Sequence, residues 1–599
     1  MSTPPRWDLS NVYPSLESSE FQAAVRDYRA QVARLGRLFD SQLSKAGPRT
    51  SVARLGALTA EVLDRINSIE TLWGTIVPYI ESFVTTDSRD QAARRALSEF
   101  EQASLPMDKL MVRLRSWLGR LGPALPQVIR KNKTAQGHAF MLKHAAHLSR
   151  FQMSDELEGL AAEMSLSGGS AWEKLQGTVT SQMTVDFELD GRMQKLPMPA
   201  LINLRSHPDE STRRRGYEAE NRAWESVKET LAACLNGVKG EANTLNKRRG
   251  RKDSVHGALD AAHIDRKTLE AMLAAMQGSF PMFRRYFRSK AQKIGKQQLA
   301  WWDLSAPLGK RDKLYSFEQA RDFIVENFGA FAPDLASFAR RAFDQRWIDA
   351  EQREGKRGGA FCMGVARVNE SRVLCNFDGS FYQVSTLAHE LGHAFHNECA
   401  FAAGKTELQQ LTPMTLAETA STMCETIVTE AVLASTRDPQ EELAVLEAQI
   451  QGAAQVVVDI YSRYLFEKEV FERRDQAELS ADDFSEIMER AQKATYGDGL
   501  DERYLQKYMW TWKPHYYSPG LSFYNFPYAF GLLFATGLYA IYQQRGQAFV
   551  EDYKSLLAST GEASAASLAK RFGIDIQQRR FWDDSLAIIG RRIDRFCEI

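Results

Sequence analysis

The stretch FYQVSTLAHELGHAFHNECAFAAG, residues 381–404, decides how the rest of this chain is read. Just before it, Asp378-Gly379-Ser380 forms a turn whose serine can cap a helix starting near Phe381. Gly404 can end that helix after Ala403. Leu387, Ala388, Leu391, Gly392, Ala394 and Phe395 make it apolar nearly all round, so it is expected to be buried. His389 and His393 stand at i and i+4. They share one face, with Cβ atoms about 6 Å apart. Buried imidazoles beside a buried Glu390 need partners. A divalent cation supplies them, because the two rings can converge on a tetrahedral ion at about 2.0–2.1 Å. Glu390 lies about 100° round the helix from His389. There it can hold and deprotonate a metal-bound water but is poorly placed to be a ligand.

A catalytic zinc site takes three protein ligands and keeps one position open. The continuation that would place a third histidine on the same chain segment is absent, since His396 and Cys399 stand where Gly and His would be needed. His396 is about 10 Å further along the axis than His389, so it is expected as a packed or hydrogen-bonded core histidine. The next apolar helix opens at Thr412-Pro413 and runs through MTLAETASTMCETIVTEAVL, residues 414–433. Glu418 is flanked there by Ala417, Thr419, Ala420, Ser421 and Thr422. Small side chains let two helices approach closely, which Glu418 needs to reach an ion on its neighbour. The alternative is a capping box with Thr415. Glu425, two turns on and on the same face, can accept a hydrogen bond from a ligand histidine, or it is an ordinary helix charge. Cys399 and Cys424 read as small core residues.

Elsewhere the chain reads mostly as helix. Apolar positions three and four apart mark 18–43, 52–86, 89–120, 208–248, 266–292, 316–346, 439–473 and 574–595. The apolar run Phe526 to Tyr542 is short and carries Pro527, Gly531 and Gly537, so a buried core helix is expected and no membrane span. Two hairpins are expected. One spans 183–196 around Asp190-Gly191. The other spans 365–377 around Asn369-Glu370-Ser371, just ahead of the histidine helix. Its second run, 372–377, could pair with an extended peptide, and Gly358-Gly359 could give the neighbouring loop mobility. The chain has 599 residues with 76 basic and 76 acidic side chains, 44% apolar and 25% charged. That is a globular composition, not a disordered one, and the balanced charge speaks against a dedicated nucleic-acid binder. NKRRGRKD (246–253) reads as a solvated helix end. Six cysteines without a C-x-x-C pair suggest reduced thiols. The opening MSTPPRWDLSNVYPSL has no apolar core of a secretory signal, and a cytoplasmic location is expected.

LAHELGHAFH followed by LAETASTMCE resembles the M3 family of zinc peptidases. RWDLSNVYPSL (6–16), NKRRGRKDSVHGAL (246–259) and KRGGAFC (356–362) are similar to its oligoendopeptidase F branch, and the likeness spans nearly the whole chain. The resemblance implies a mostly α, zincin-like fold with a small β element beside the active site and a deep substrate channel. It implies an N-terminal helical lobe over 1–180 and a catalytic domain over 181–599. It also implies one Zn²⁺ per chain on His389, His393 and Glu418, with Glu390 as general base. A late histidine and tyrosines would face the scissile bond and support the oxyanion: His515, with Tyr524 and Tyr528, four apart and so sharing a helix face. The loop between His515 and Tyr524 is longer than the family pattern, which leaves Tyr516 and Tyr517 open as alternatives. The implied activity is endopeptidase hydrolysis of short unfolded peptides. The competing expectation is a helical peptide-binding or scaffold protein with a structural zinc, closed by Cys399 or Cys424. A metal hydrolase acting on a non-peptide amide is the third.

Overall fold

The computed structural model describes residues 4–309 and 313–599. The helices that matter below are α1 (Ser19–Ser41), α2 (Val52–Thr86), α3 (Gln91–Leu121), α4 (Glu210–Arg248), α5 (Arg266–Lys293), α6 (Phe317–Phe331), α7 (Pro333–Asp344), α8 (Phe381–Ala402), α9 (Met414–Ala417), α10 (Thr419–Ser435), α11 (Pro439–Ala454), α12 (Ile460–Arg474), α13 (Phe526–Arg545) and α14 (Arg579–Glu598). Contacts group the described residues into two compact units, each drawn from separated stretches. One comprises those of Met1–Arg150, Asp312–Ala434 and Ile541–Ile574. The other comprises those of Phe151–Arg311, Ser435–Ala540 and Asp575–Ile599. This grouping differs from a cut in chain order after residue 180.

In the first unit α1, α2 and α3 start at side-chain caps, with Ser18, Ser51 and Asp90 accepting from the backbone N–H three residues on. They bury Tyr28, Leu35, Leu63, Ile66, Trp117 and Leu118 against one another. The segment 316–346, expected as one helix, is two. Ala332 is extended (φ −153°, ψ 128°) and Pro333 opens α7. Proline lacks the N–H the helix would need and pushes its predecessor out of the helical region.

Five strands are present among the described residues. β1 (Thr184–Leu189) and β2 (Arg192–Pro197) form the expected hairpin of the second unit. Asp190 (φ 52°) and Gly191 (φ 73°) both take the left-handed conformation its two-residue turn requires. In the first unit β3 (Ile348–Asp349), β4 (Phe361–Val365) and β5 (Glu370–Leu374) make a sheet in the order β3-β5-β4. The expected strand over 365–368 is instead a 3-10 turn, Ala366–Val368, closed by Asn369 in the left-handed region. β5 is the middle strand, parallel to β3 and antiparallel to β4. Beyond it, the N–H groups of Cys375 and Phe377 donate to Asp349 and Ala350 carbonyls. Residues 372–374 therefore lie between two strands and offer no edge to a peptide. β3 and β4 are the outer strands. The N-terminal segment runs beside β3, with Ala350 N–H donating to Pro5 O and Asp8 N–H to Arg346 O, and no strand lies beyond β4 among the described residues. Arg372 on β5 is buried and donates to Asp8 O (2.9 Å) and Asn11 Oδ1 (2.7 Å), tying the N-terminal segment to the strand.

β5 leads straight into α8. Ser380 Oγ accepts from Gln383 N–H at 3.3 Å. At the other end Gly404 (φ 63°) lets Lys405 N–H bond back to Ala400 O. The helix expected over 412–433 is interrupted: α9 ends at Ala417, Glu418 lies at φ −86°, ψ 7°, and α10 starts at Thr419. α8 and α10 touch backbone to backbone. A Cβ on Gly392 would lie 2.6 Å from both Ala420 O and Ser421 Cα.

In the second unit α5 packs along α14, burying Phe283, Tyr286, Ile589 and Ile593. The segment 439–473 is α11, a π-helical stretch Gln455–Asp459, and α12. Among the described residues Pro439–Arg474 is the one helical run long and apolar enough to cross a membrane, and 67% of its most apolar window is buried inside the protein. Burial of that kind marks a core helix. α13 is also buried, through Phe530, Leu533, Phe534 and Leu538.

Gly392→Ala should destabilise the protein by about 1–3 kcal/mol, because the added methyl meets backbone that cannot rotate away. Gly452→Ala, with open space at its Cβ, should instead be neutral or stabilising by up to about 1 kcal/mol. Denaturant unfolding of both variants checks this.

Candidate active site

His389 and His393 project from α8 toward the break between α9 and α10. Glu418 Oε2 lies 3.2 Å from His389 Nε2 and 3.4 Å from His393 Nε2. One donor atom from each of the three side chains falls within 4.8 Å of the others. The capping alternative is not adopted: the Glu418 carboxylate accepts from Ser421 Oγ at 2.7 Å and faces the imidazoles. Glu425, on α10, places Oε2 3.1 Å from His389 Nδ1.

These contacts fix how His389 is used. With Nδ1–H donating to Glu425, Nε2 points a lone pair at a carboxylate oxygen. Two acceptors at that distance repel unless a cation lies between them. In the metal-free protein the cation is a proton. Burial pulls the His389 pKa down, but the bonds to Glu418 and Glu425 outweigh it and raise it to about 10. Burial pushes Glu418 up, and the two histidines more than reverse this, holding it well below the usual carboxylate range. Two imidazoles and a carboxylate, with one imidazole oriented by a second carboxylate, are a donor set suited to Zn²⁺.

Glu390 is 6% exposed. Burial raises its pKa, and the nearby His389 and His393 offset part of that. Cys362 on β4 and Cys375 after β5 are close enough for its charge to add to the burial that pushes both thiols up. Glu390 thus sits between α8 and the sheet. His396 stands apart from this group. Its Nε2 is 2.9 Å from Thr560 Oγ1 and 3.1 Å from Leu557 O, and burial lowers its pKa to about 4.

His515, Tyr524 and Tyr528 belong to the second unit and form their own cluster. His515 Nε2 accepts from the Asn525 amide at 2.7 Å. Burial first, then Arg463, Lys513 and Lys239, lower its pKa to about 3, so the ring is neutral. The Tyr524 and Tyr528 hydroxyls are 2.5 Å apart, and the Tyr524 ring centroid lies 5.6 Å from that of His515. The two tyrosines do not share a helix face. α13 begins only at Phe526, with Pro527 in its first turn, and Phe523 (φ 53°) turns the chain before it. Tyr516 and Tyr517 are fully buried core residues, which removes them as groups a substrate could touch. Asn525 and Ser421 were not anticipated. Ser421 was within reach of sequence reasoning, since it stands three residues after Glu418.

The family model for peptidase family M3 matches residues 203–588, well over half of the chain. The chain is 25% identical over 488 residues to an oligoendopeptidase F homolog of Lactococcus lactis subsp. lactis (strain IL1403), covering 80% of this chain and 77% of that protein. It is 22% identical over 456 residues to oligopeptidase PepF of Bacillus subtilis (strain 168), covering 75% and 67%. Oligoendopeptidase-F from Enterococcus faecium has the same fold, with a TM-score of 0.69 at 18% identity over 97% of this chain and 98% of that one. A solved chain from Chlamydophila abortus gives 0.84 at 18% identity, over 99% and 98%. The chain belongs to peptidase family M3. It is a metalloendopeptidase of oligoendopeptidase F type and acts on peptides.

The raised His389 pKa gives the metal-free protein stability that is fully present below about pH 6.5 and lost as pH rises through about 10. A zinc ion held there at pH 8 would have to displace that proton. Calorimetric zinc titrations in buffers of different ionisation enthalpy should therefore show about one proton released; no release would contradict the assignment. Glu425→Gln should weaken zinc affinity by about 10–100-fold in chelator competition.

Proposed function

We propose that the chain is a zinc-dependent oligoendopeptidase in which His389, His393 and Glu418 hold the metal and Glu390 is the general base. The convergence of three donors within 4.8 Å, with the far nitrogen of His389 on Glu425, is the observation that carries this reading. Zn²⁺ bound there would lower the pKa of a water toward about 7 and polarise the scissile carbonyl. The protein's own groups do the rest. Glu425 keeps His389 in the tautomer whose Nε2 is free to ligate. Glu390, made more basic by burial, takes a proton from the attacking water and delivers it to the leaving amide nitrogen.

In this reading the second cluster supports the oxyanion. Because Asn525 donates to His515 Nε2, the ring proton resides on Nδ1 and is the one offered to substrate. The Tyr524 and Tyr528 hydroxyls, hydrogen-bonded to each other, are the further donors in this reading. The free edge of β4 can pair with an extended peptide backbone. The relatives named as oligopeptidases support short peptides as substrates. Six unpaired cysteines support a reducing, cytoplasmic setting. A structural zinc closed by Cys399 or Cys424 finds no support, because neither thiol joins the donor group.

Glu390→Gln should keep its zinc and lose about 10²–10⁴-fold in turnover of an oligopeptide. Full activity would overturn the general-base role. Glu418→Ala should lose the metal; unchanged zinc by elemental analysis would move the third ligand elsewhere.

A further inference from the structure

The second unit holds a cavity of about 170 Å³ that the proposed peptidase chemistry does not use. Gln455 and Asp459, the two ends of the π-helical stretch, are part of its wall. A π-helical turn is rare and gathers at functional sites. Here it interrupts an otherwise continuous helix at the point where that helix meets the cavity.

The charges around the cavity do not balance. Arg205 donates to both oxygens of Glu220 (2.9 and 2.8 Å). Arg463 pairs with Asp459. Lys513 has no carboxylate partner among the described residues. Its ammonium instead lies 3.8 Å from the centroid of the Trp512 ring. Three cations face two carboxylates, leaving one positive charge in excess. Burial, then repulsion from Arg463, lowers the Lys513 pKa to about 7, and attraction from Asp459 and Glu220 offsets only part of this.

The polar atoms do not balance either. Arg463 is 8% exposed. Its Nε, the Nε of Arg205 and the indole N–H of Trp512 are buried without a hydrogen-bond partner among the described residues, as is Asp459 Oδ1. Native proteins leave few such groups, and each calls for an explanation. Four around one cavity, three of them donors, call for a ligand rich in acceptors. Trp301, Trp512 and Tyr496 supply flat apolar walls. An apolar cavity of about 150 Å³ is large enough for a benzene ring.

We propose that this cavity is a binding site for a small planar carboxylate with a single negative charge and a body the size of one aromatic ring. The carboxylate accepts from the unpaired N–H groups and neutralises the excess charge of Lys513, while the ring lies against the indoles. Arg463 and Lys513 also act on His515, so a bound anion would relieve part of the positive field at that ring.

The test is calorimetric titration of benzoate into the zinc-loaded, full-length protein and into Lys513→Met and Lys513→Arg variants. Lys513→Met removes an unpaired, half-buried cation, so it should fold; its thermal midpoint checks this. The proposal expects saturable binding of one benzoate per chain, weakened by about tenfold or more in Lys513→Met, retained in Lys513→Arg, and accompanied by a change in tryptophan fluorescence. Absence of saturable binding to the unmodified protein would overturn it. So would equal affinity in Lys513→Met, the result expected if benzoate merely ligates the zinc.

Discussion

The site depends on one contact between two backbones. Where α8 crosses α10 there is no side chain between them, because residue 392 is glycine and its opposite numbers are Ala420 and Ser421. That approach brings the carboxylate of Glu418, just ahead of α10, within 3.4 Å of both imidazoles on α8. The surrounding elements hold it in register. β5 is fixed on both sides by strands, its exit turn caps α8 at Ser380, and the helix break at Glu418 points that carboxylate at the histidines rather than along its own helix.

The same contact concentrates charge at a site only partly open to water. Glu418, Glu425 and Glu390 all lie about His389. Taking such groups out of water is costly, and their mutual attraction repays it only with good geometry and further hydrogen bonds. An arrangement of two acceptors facing each other is therefore poor scaffolding but a good socket for a cation. Such a cost in stability is what a metal site prepared in advance of its ion would entail.

Much of this was legible in the sequence, and the limits of legibility are physical. A spacing of four on a helix fixes two histidines on one face whatever surrounds them, so the α8 pair could be read directly. So could the Ser380 cap, the Gly404 end and the Asp190-Gly191 turn, because each rests on local backbone chemistry. The break at Glu418 could not, since small residues satisfy a helix as well as a kink. β3 escaped notice because two residues show no alternation. Without it β5 could be read as open to an extended peptide, whereas it has a strand on each side. The role of Gly392 needs the partner helix in place before it can be seen. Tyr516 and Tyr517 were separable from Tyr524 and Tyr528 only by burial. The cavity beside Lys513 left no sequence signal, because its walls come from segments far apart in the chain.

Crystals grown with zinc and measured on both sides of the zinc absorption edge test the central claim most directly. The account predicts one anomalous peak per chain, bounded by His389 Nε2, His393 Nε2 and a Glu418 oxygen. A peak bounded by other side chains, or none in zinc-replete crystals, would contradict it.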